Sequence, residues 1–204
     1  MKTVFVKVER CVGCRHCEIA CSVEHSHNKD ILPLLNDKPN PQPRIKVGMG
    51  VDFLTFPNRC RHCDPAPCDQ ACPTGAIFRH ELSGSVLVRE DKCISCQMCA
   101  MVCPFSAITF QKTLTKNRFV SYKCDNCIER LKAGGIPACV ESCKTGALIF
   151  EEINEISQSS KQDIVMKITK EIKGVESSKL PENIRIFENI LEKIARLGPI
   201  ASSS

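Results

Sequence analysis

The sequence is poor in aromatic residues. Its 204 residues include no tryptophan, one tyrosine and nine phenylalanines, which together make about 5% of the chain. Because aromatic side chains supply much of the buried area of an ordinary core, a sizeable conventional core is not expected where they are scarce. Charged residues (25%) and hydrophobic residues (43%) still occur at the frequencies of a folded domain, so most of the chain is not disordered.

Long apolar runs are missing as well. No segment approaches the roughly 18 consecutive apolar residues of a membrane-spanning helix, so no membrane span is predicted. The N-terminal residues MKTVFVKVER hold neither the apolar segment of a secretory signal nor a twin-arginine pair. We therefore expect a cytoplasmic protein, in which a scaffold of disulfide bonds is not favoured.

Sequence motifs of common enzymes are also lacking. There is no G-x-G-x-x-G fingerprint, no P-loop and no convincing pairing of a nucleophile with a base. The formal net charge is +5, but the basic residues are dispersed and few aromatic residues are present to stack on bases. The sequence therefore predicts neither an enzyme nor a nucleic-acid partner.

Cysteine, in contrast, is abundant. Sixteen of the 204 residues, about 8%, are cysteines, several times the usual share. All of them fall into four groups of four, with none left over. We number these groups motifs 1 to 4 in chain order: Cys11, Cys14, Cys17 and Cys21; Cys60, Cys63, Cys68 and Cys72; Cys93, Cys96, Cys99 and Cys103; Cys124, Cys127, Cys139 and Cys143.

The spacing of the cysteines favours iron–sulfur clusters over zinc. Motifs 1 and 3 read C-x-x-C-x-x-C-x-x-x-C, and motif 2 widens the middle gap. Such a run wraps the backbone around a single iron–sulfur cubane, so that three thiolates reach three of its corners while the fourth cysteine points away. A structural zinc site needs two C-x-x-C pairs separated by a longer loop, and no third cysteine at this spacing. The four quartets therefore predict four [4Fe-4S] clusters, with a structural zinc-binding protein as the alternative.

Similar segments surround the motifs and form internal repeats. A turn of small residues and a strand-like apolar run follow motifs 2, 3 and 4, and β-rich runs precede motifs 1, 3 and 4. Strand, cluster loop, short helix ending at the fourth cysteine, turn and strand make the half-unit of a bacterial-type ferredoxin. The runs are CPTGAIF, CPFSAITF and CKTGALIF after the motifs, and VFVKV, VLV and RFVSY before them.

At this point the sequence resembles a known family, the four-cluster ferredoxin-like electron-transfer subunits of multi-subunit oxidoreductases. Formate dehydrogenase, dimethyl sulfoxide reductase, polysulfide reductase, some carbon monoxide dehydrogenases and tungsten aldehyde oxidoreductases have such subunits. The segments CEIACSVEHS and CDPAPC look most similar to the corresponding segments of the subunits associated with carbon monoxide dehydrogenase or aldehyde oxidoreductase. The resemblance covers residues 1 to about 152 and is carried by CVGCRHCEIAC, CRHCDPAPCDQACPTGAI, DKCISCQMCAMVCPFSAI and KCDNCIERLKAGGIPACVESCKTGAL.

The resemblance implies an α+β fold of two interlocked bacterial-type 2×[4Fe-4S] ferredoxin modules. In that family motifs 1 and 4 pair, and motifs 2 and 3 pair, so the fourth cysteine of a motif ligates the cluster of its partner motif. We refer to the four implied ligand sets as sites A to D. They are Cys11, Cys14, Cys17 and Cys143 (site A); Cys21, Cys124, Cys127 and Cys139 (site B); Cys60, Cys63, Cys68 and Cys103 (site C); Cys72, Cys93, Cys96 and Cys99 (site D).

The remaining residues divide into an insertion and a C-terminal extension. Residues 22–59 hold five of the twelve prolines and are interpreted as a surface insertion in the four-cluster domain, 1–152, that is suited to partner docking. Residues 153–204 are predicted to form a linker, placed at 157–161, and an amphipathic helical extension. An apolar stripe within 181–198 is expected either to pack on the ferredoxin core or to mediate subunit docking or self-association. The stripe consists of Ile184, Phe187, Ile190, Leu191 and Ile194.

Two Arg–His pairs lie between predicted ligands. A cation near a cluster favours its reduced, more negative form, so these pairs are candidates for tuning a reduction potential, and a solvated face is the alternative. His25 and His27 are expected at the surface, because no quartet lacks a ligand. The pairs are Arg15–His16 in motif 1 and Arg61–His62 in motif 2.

Together these features predict a non-catalytic electron-transfer subunit with four [4Fe-4S] clusters. It is expected to relay single electrons between a catalytic metalloenzyme subunit, of the carbon monoxide dehydrogenase or tungsten/molybdenum oxidoreductase type, and a second redox partner. A free-standing polyferredoxin that shuttles by diffusion is the alternative. Four clusters of about −2 each turn the formal charge of +5 into about −3, which further weakens the case for nucleic acid.

Overall fold

The computed structural model describes residues 2–34, 41–113 and 118–173. Contacts divide the chain into two compact units, Met1–Ile153 and Asn154–Ser204. The strands of the first unit are β1 (Lys2–Val6), β2 (Ile45–Met49), β3 (Thr55–Arg59), β4 (Ile77–Arg79), β5 (Val86–Val88), β6 (Thr109–Lys112), β7 (Phe119–Tyr122) and β8 (Leu148–Glu152). Its helices are α1 (His16–Glu24), α2 (Ile31–Leu34), α3 (Pro67–Gln70), α4 (Met98–Met101), α5 (Ile128–Lys132) and α6 (Ala138–Glu141).

The strands form four separate antiparallel pairs, β1–β8, β2–β3, β4–β5 and β6–β7. The β1–β8 pair joins the strand before motif 1 to the strand after motif 4, with Val4 opposite Phe150. The β4–β5 pair joins the strand after motif 2 to the strand before motif 3, with Ile77 opposite Val88. Strand pairing therefore connects motif 1 with motif 4, and motif 2 with motif 3.

This mixture of short helices and small sheets is an α+β fold, as predicted. All six β-rich runs named above contribute strands, and α3, α4 and α6 each end two residues before the fourth cysteine of their motif. Prolines follow Cys72 and Cys103, and a residue before proline disfavours the helical conformation. Motif 1 has Ser22 at this position, and there α1 continues past Cys21 to Glu24.

The prediction of a surface insertion over residues 22–59 is wrong for the hairpin β2–β3. This hairpin contacts α1, and Ile45 is 2% and Arg59 1% exposed. Only its tip is strongly exposed, with Phe53 at 86%. Proline and glycine lower the strand propensity of this segment, but the apolar side chains at its base are needed to cover the helix of motif 1.

Cysteine occupies much of the core that aromatic side chains fill in other proteins. Buried aliphatic side chains pack directly against buried cysteines in each cluster of the core, which links the packing of the first unit to its cysteine quartets. Two of these clusters combine Val4, Ile45 and Leu148 with Cys17, Cys21 and Cys139, and Ile77, Val86 and Ile108 with Cys99.

The C-terminal helix α7 (Ile153–Lys173) carries the chain into the second unit. The prediction of a linker at 157–161 is wrong, because α7 runs through these residues without a break. The hydroxyl of Ser159 donates to the carbonyl of Ile156 at 3.0 Å, so this polar side chain is accommodated within the helix. In the described part of the chain no helix is long and apolar enough to cross a membrane. The apolar stripe within 181–198 lies outside the described residues.

Candidate iron–sulfur sites

Three cavities in the first unit are each lined by four cysteines. In each cavity three cysteines come from one motif and the fourth comes from another, and the sets coincide with those of sites B, C and D. The cysteines are Cys21, Cys124, Cys127 and Cys139 at site B; Cys60, Cys63, Cys68 and Cys103 at site C; Cys72, Cys93, Cys96 and Cys99 at site D.

Site A is brought together by the ends of the first unit. Helix α1 packs against α6, and β1 pairs with β8, which places motif 1 beside the end of motif 4. Burial, followed by the charges of Glu18, Cys14 and Cys143, raises the pKa of Cys17 to about 11. Cys143 is thus an electrostatic neighbour of Cys17, although it lies far from it in sequence.

The hairpin β2–β3 supports the loop of site A. The hydroxyl of Thr55 donates to the carbonyl of Cys11 at 3.0 Å. A Cβ at Gly13, whose φ is +70°, would lie 2.9 Å from Cγ2 of Thr55, so the loop needs glycine here. The amide of Val47 on β2 donates to Oε1 of Glu18 on α1 at 2.6 Å. The hairpin therefore holds both the loop and the helix of motif 1.

All four cluster loops turn through the left-handed backbone region. The residue before the second cysteine of each motif has a positive φ, which directs the backbone round the cavity. In motifs 1 and 3 the residue after the second cysteine, Arg15 or Gln97, also has a positive φ. Only one of these six positions is glycine, so the other five hold a backbone conformation that L-residues rarely adopt. The four residues before the second cysteine are Gly13, His62, Ser95 and Asn126.

Backbone amides lie within hydrogen-bonding distance of the cysteine sulfurs in all four motifs. Such bonds favour the thiolate over the thiol and are one means by which a protein tunes an iron–sulfur cluster. The pairs are Arg44 N to Cys21 Sγ (3.2 Å), His62 N to Cys60 Sγ (3.5 Å), Ala107 N to Cys103 Sγ (3.5 Å), Ser121 N to Cys93 Sγ (3.4 Å), Asn126 N to Cys124 Sγ (3.4 Å) and Leu148 N to Cys143 Sγ (3.4 Å).

The environment of the thiols differs between positions. Burial raises the pKa of Cys21 to about 12 and the pKa of Cys127 to about 11. Burial acts in the same direction on Cys72 and Cys143, but hydrogen bonds to their sulfurs from the turn that follows outweigh it and lower the pKa of both. The buried thiols are therefore protonated without a cationic centre, and ligation must release their protons.

His62 does not add a second cation to Arg61 at site C. It is 5% exposed, and its Nδ1 accepts a hydrogen bond from the amide of Val86 at 3.0 Å. Burial, followed by the charges of Lys123 and Arg59, lowers the pKa of His62 to about 2. The hypothesis that this Arg–His pair tunes site C through a positive charge therefore depends on Arg61, and it stays a prediction.

A polar network beside site B was missed by the sequence analysis. The side chain of His25 is 9% exposed, its Nδ1 lies 2.7 Å from the carbonyl oxygen of Cys21, and its Nε2 lies 3.1 Å from Oδ1 of Asp125. Arg44 Nη1 contacts the other carboxylate oxygen at 2.7 Å. Although burial raises it, the contacts with His25 and Arg44 hold the pKa of Asp125 below its usual range. His25 is thus not the surface histidine that was predicted, and its position four residues after Cys21 was the signal available.

A closed zinc site requires its sulfur atoms to lie close together. Zinc–sulfur bonds of about 2.3 Å in a tetrahedron put sulfur atoms roughly 3.8 Å apart. Within the described ranges, only His25, Asp125 and Cys127 bring three potential ligand atoms within 4.8 Å of one another, and Asp125 is already paired with Arg44. None of the quartets at sites A to D, whose cysteines are all described, brings three sulfur atoms within this limit.

The fold and the cysteine cavities define an iron–sulfur protein of the ferredoxin-like class. A family model described as a 4Fe-4S dicluster domain matches residues 51–153. The chain belongs to this family. Its resemblance to ferredoxin-like electron-transfer proteins, predicted from the cysteine motifs, is thereby confirmed.

Three relatives match most of the chain. An iron–sulfur protein of Rhodospirillum rubrum is 38% identical over 159 residues, which cover 74% of this chain and 82% of that protein. Protein NrfC of Escherichia coli strain K12 is 39% identical over 157 residues, covering 74% of this chain and 67% of NrfC. The electron transport protein HydN of the same strain is 35% identical over 168 residues, covering 77% of this chain and 91% of HydN.

Proposed function

We propose that the chain is a non-catalytic electron-transfer subunit that holds four [4Fe-4S] clusters at sites A to D. A [4Fe-4S] cluster supplies one-electron redox chemistry when it is bound. The sixteen cysteines hold the clusters, the backbone amides stabilise the thiolates, and the aliphatic core shields the buried ligands from water. We place the protein in the cytoplasm and assign it no catalysis of its own.

The observation that carries this proposal is the mixed origin of the cysteines at three cavities. Cys21 of motif 1 lines the cavity formed by motif 4. Cys103 of motif 3 lines the cavity formed by motif 2, and Cys72 of motif 2 lines the cavity formed by motif 3. An arrangement of this kind is what the interlocked ligation of two-cluster ferredoxins requires. A set of four independent sites gives no reason for the fourth cysteine to cross to another motif.

The contacts between the sites support a linear order A–B–C–D. Helix α1 carries one cysteine of site A and one of site B, one turn apart. Helix α4 carries Cys99 of site D, and Cys103 of site C follows two residues after this helix ends. Sites B and C are adjacent, because the charge of Cys124 is among those that raise the pKa of Cys60. A linear order gives the chain two ends at which electrons enter and leave. We propose a catalytic redox subunit at one end and a second electron carrier at the other.

The proposal is tested by metal and sulfide analysis of protein purified without oxygen. Four complete quartets predict about 16 iron and 16 labile sulfide per chain, and no [3Fe-4S] signal, because no quartet lacks a ligand. Zinc in place of iron, with no sulfide, would overturn the proposal. Half the expected iron would contradict the four-cluster assignment and leave a two-cluster protein.

A further inference from the structure

Two basic side chains are buried between sites B and C. Arg59 is 1% exposed and Lys123 is 3% exposed. Within the described ranges, neither makes an ion pair with a carboxylate. A buried charge is costly unless an opposite charge compensates it. Some other negative group is therefore required close to both side chains.

The contacts of Lys123 reach both sites at once. Its Nζ lies 3.0 Å from the carbonyl oxygen of Cys124 and 3.8 Å from Sγ of Cys60, and it also donates to the carbonyl of Val86. Three acceptors match the three N–H donors of an ammonium group. Because Cys124 belongs to site B and Cys60 to site C, one ammonium group contacts a ligand residue of each.

Arg59 lies at the same junction. Its Nη1 donates to the carbonyl of Cys60 at 3.3 Å, and its side chain lines the cavity of site B. Its Nε and Nη2 are buried and have no hydrogen-bond partner in the described part of the chain. A guanidinium is charged at any physiological pH. Arg59 borders a cavity whose other lining includes four cysteines, and their sulfurs are suitable acceptors for its unused donors once they carry negative charge.

Site D offers a contrast within the same molecule. Its cavity is lined by apolar and neutral polar side chains, among them Gln97, Phe110 and Ser121, and none of its described lining residues carries a positive charge. Site C has in addition Arg61, which is partly exposed and therefore more strongly screened by solvent. A stronger positive field is thus expected where sites B and C meet than at site D.

We propose that Arg59 and Lys123 act as a cationic pair that raises the reduction potentials at sites B and C, so that electrons are held at this junction. The inference rests on the proposed function, because it requires clusters at both sites. One electron, supplied by a redox partner or a chemical reductant, takes a cluster and its four thiolates from about −2 to about −3. A buried cation stabilises the more negative state, and the low dielectric of the interior strengthens this effect. The pair also offsets the repulsion between two neighbouring reduced clusters.

The test is a redox titration, monitored by EPR, of the full chain loaded with clusters, with dithionite as reductant. In Lys123→Gln, which keeps hydrogen-bond donors but loses the charge, two of the four one-electron steps should move to lower potential. A tenfold loss in each reduction equilibrium corresponds to about 59 mV. Lys123→Arg should keep both steps near their original potentials. Lys46→Met, which removes an exposed lysine on β2, is the matched control and should move no step.

The outcomes separate this inference from the proposed function. Full iron content with unshifted steps in Lys123→Gln would overturn the inference and leave the proposed function intact, whereas a wild-type chain without iron would overturn the proposed function. If Lys123→Gln loses clusters, EPR of the half-reduced wild-type protein tests the inference instead. After two electrons per chain, adjacent reduced clusters at sites B and C should give EPR signals broadened by their interaction, and two non-interacting signals would contradict the inference.

Discussion

At the scale of single residues, the cluster loops combine rigid backbone conformations with buried polar groups. Non-glycine residues occupy the left-handed region in all four motifs, and each such position costs conformational energy that contacts around the cysteines must offset. Arg15 shows this most simply, because its φ is +60° and its side chain is exposed.

Arg15 provides a test of this strain. Arg15→Gly should stabilise the loop relative to Arg15→Val, because glycine adopts the left-handed conformation freely and a β-branched residue does not. We expect a difference of about 1–2 kcal/mol in the free energy of unfolding, measured by guanidinium denaturation of the loaded protein without oxygen. Both variants lose the guanidinium group, so charge cancels from the comparison. Equal denaturation midpoints would contradict a strained loop.

Cys72→Ser tests the exchange of ligands between motifs. Cys72 belongs to motif 2 but lines the cavity of site D, so its replacement should alter the cluster at Cys93, Cys96 and Cys99. EPR and Mössbauer spectra of the variant should then show one altered cluster and three unchanged ones. The matched variant Cys103→Ser should alter the cluster at site C instead. The reverse assignment would show that each motif completes its own site.

Not all of the functional residues could be predicted from the sequence. The sixteen cysteines could be predicted as ligands because thiolate ligands need fixed spacings that a sequence displays directly, and this assignment stays a prediction. Arg59 and Lys123 were missed because charged side chains are rarely buried and no local pattern marks those that are. Their burial depends on contacts between segments far apart in the chain, as between Lys123 and Cys60.

At the scale of secondary structure, the elements that could be predicted were again those marked by a local sequence pattern. The strands next to the motifs consist of β-branched and apolar runs, such as VLV at Val86–Val88, and were confirmed. The hairpin β2–β3 was not predicted, because Gly48, Gly50 and Pro57 mask its strand pattern. Helix α5 was not predicted either, since it is a short helix inside the long gap of motif 4.

The docking of the hairpin on motif 1 can be tested at Glu18. Glu18→Ala removes the acceptor for the amide of Val47, whereas Glu18→Gln keeps a carbonyl oxygen at nearly the same place. The alanine variant should lose about 1 kcal/mol of local stability, so the Val47 amide should exchange with solvent roughly fivefold faster. Hydrogen exchange followed by NMR or mass spectrometry measures this change. Unchanged protection in the alanine variant would show that the hairpin does not depend on this bond.

At the scale of the whole molecule, all sixteen cysteines lie in the first unit, and the chain continues beyond it into the second. The sequence predicts cluster binding by residues 1–152, and either packing on the ferredoxin core or docking of another chain by 181–198. Large apolar side chains contribute roughly 1.5–3 kcal/mol each when they are fully buried, so the stripe can stabilise an interface without acting on the clusters.

A chain ending at Glu152 tests this division. It should keep about 16 iron and undergo normal reduction, yet fail to co-purify with its partner or to self-associate. The full-length chain with serine at Phe187, Ile190, Leu191 and Ile194 is the matched control and should show the same loss of association. Precipitation and loss of iron in the truncated chain would instead make the extension part of the ferredoxin fold.

The pairing of β1 with β8 also orders events during synthesis. The strand Lys2–Val6 emerges from the ribosome before its partner Leu148–Glu152, which follows on the order of ten seconds later at usual elongation rates. The pair β4–β5, in contrast, closes over a short loop almost as soon as it is made. The middle of the first unit can therefore fold while the chain is still being synthesised, whereas β1 stays unpaired until β8 is made. During that time the four reactive thiols of motif 1 are exposed to the cell.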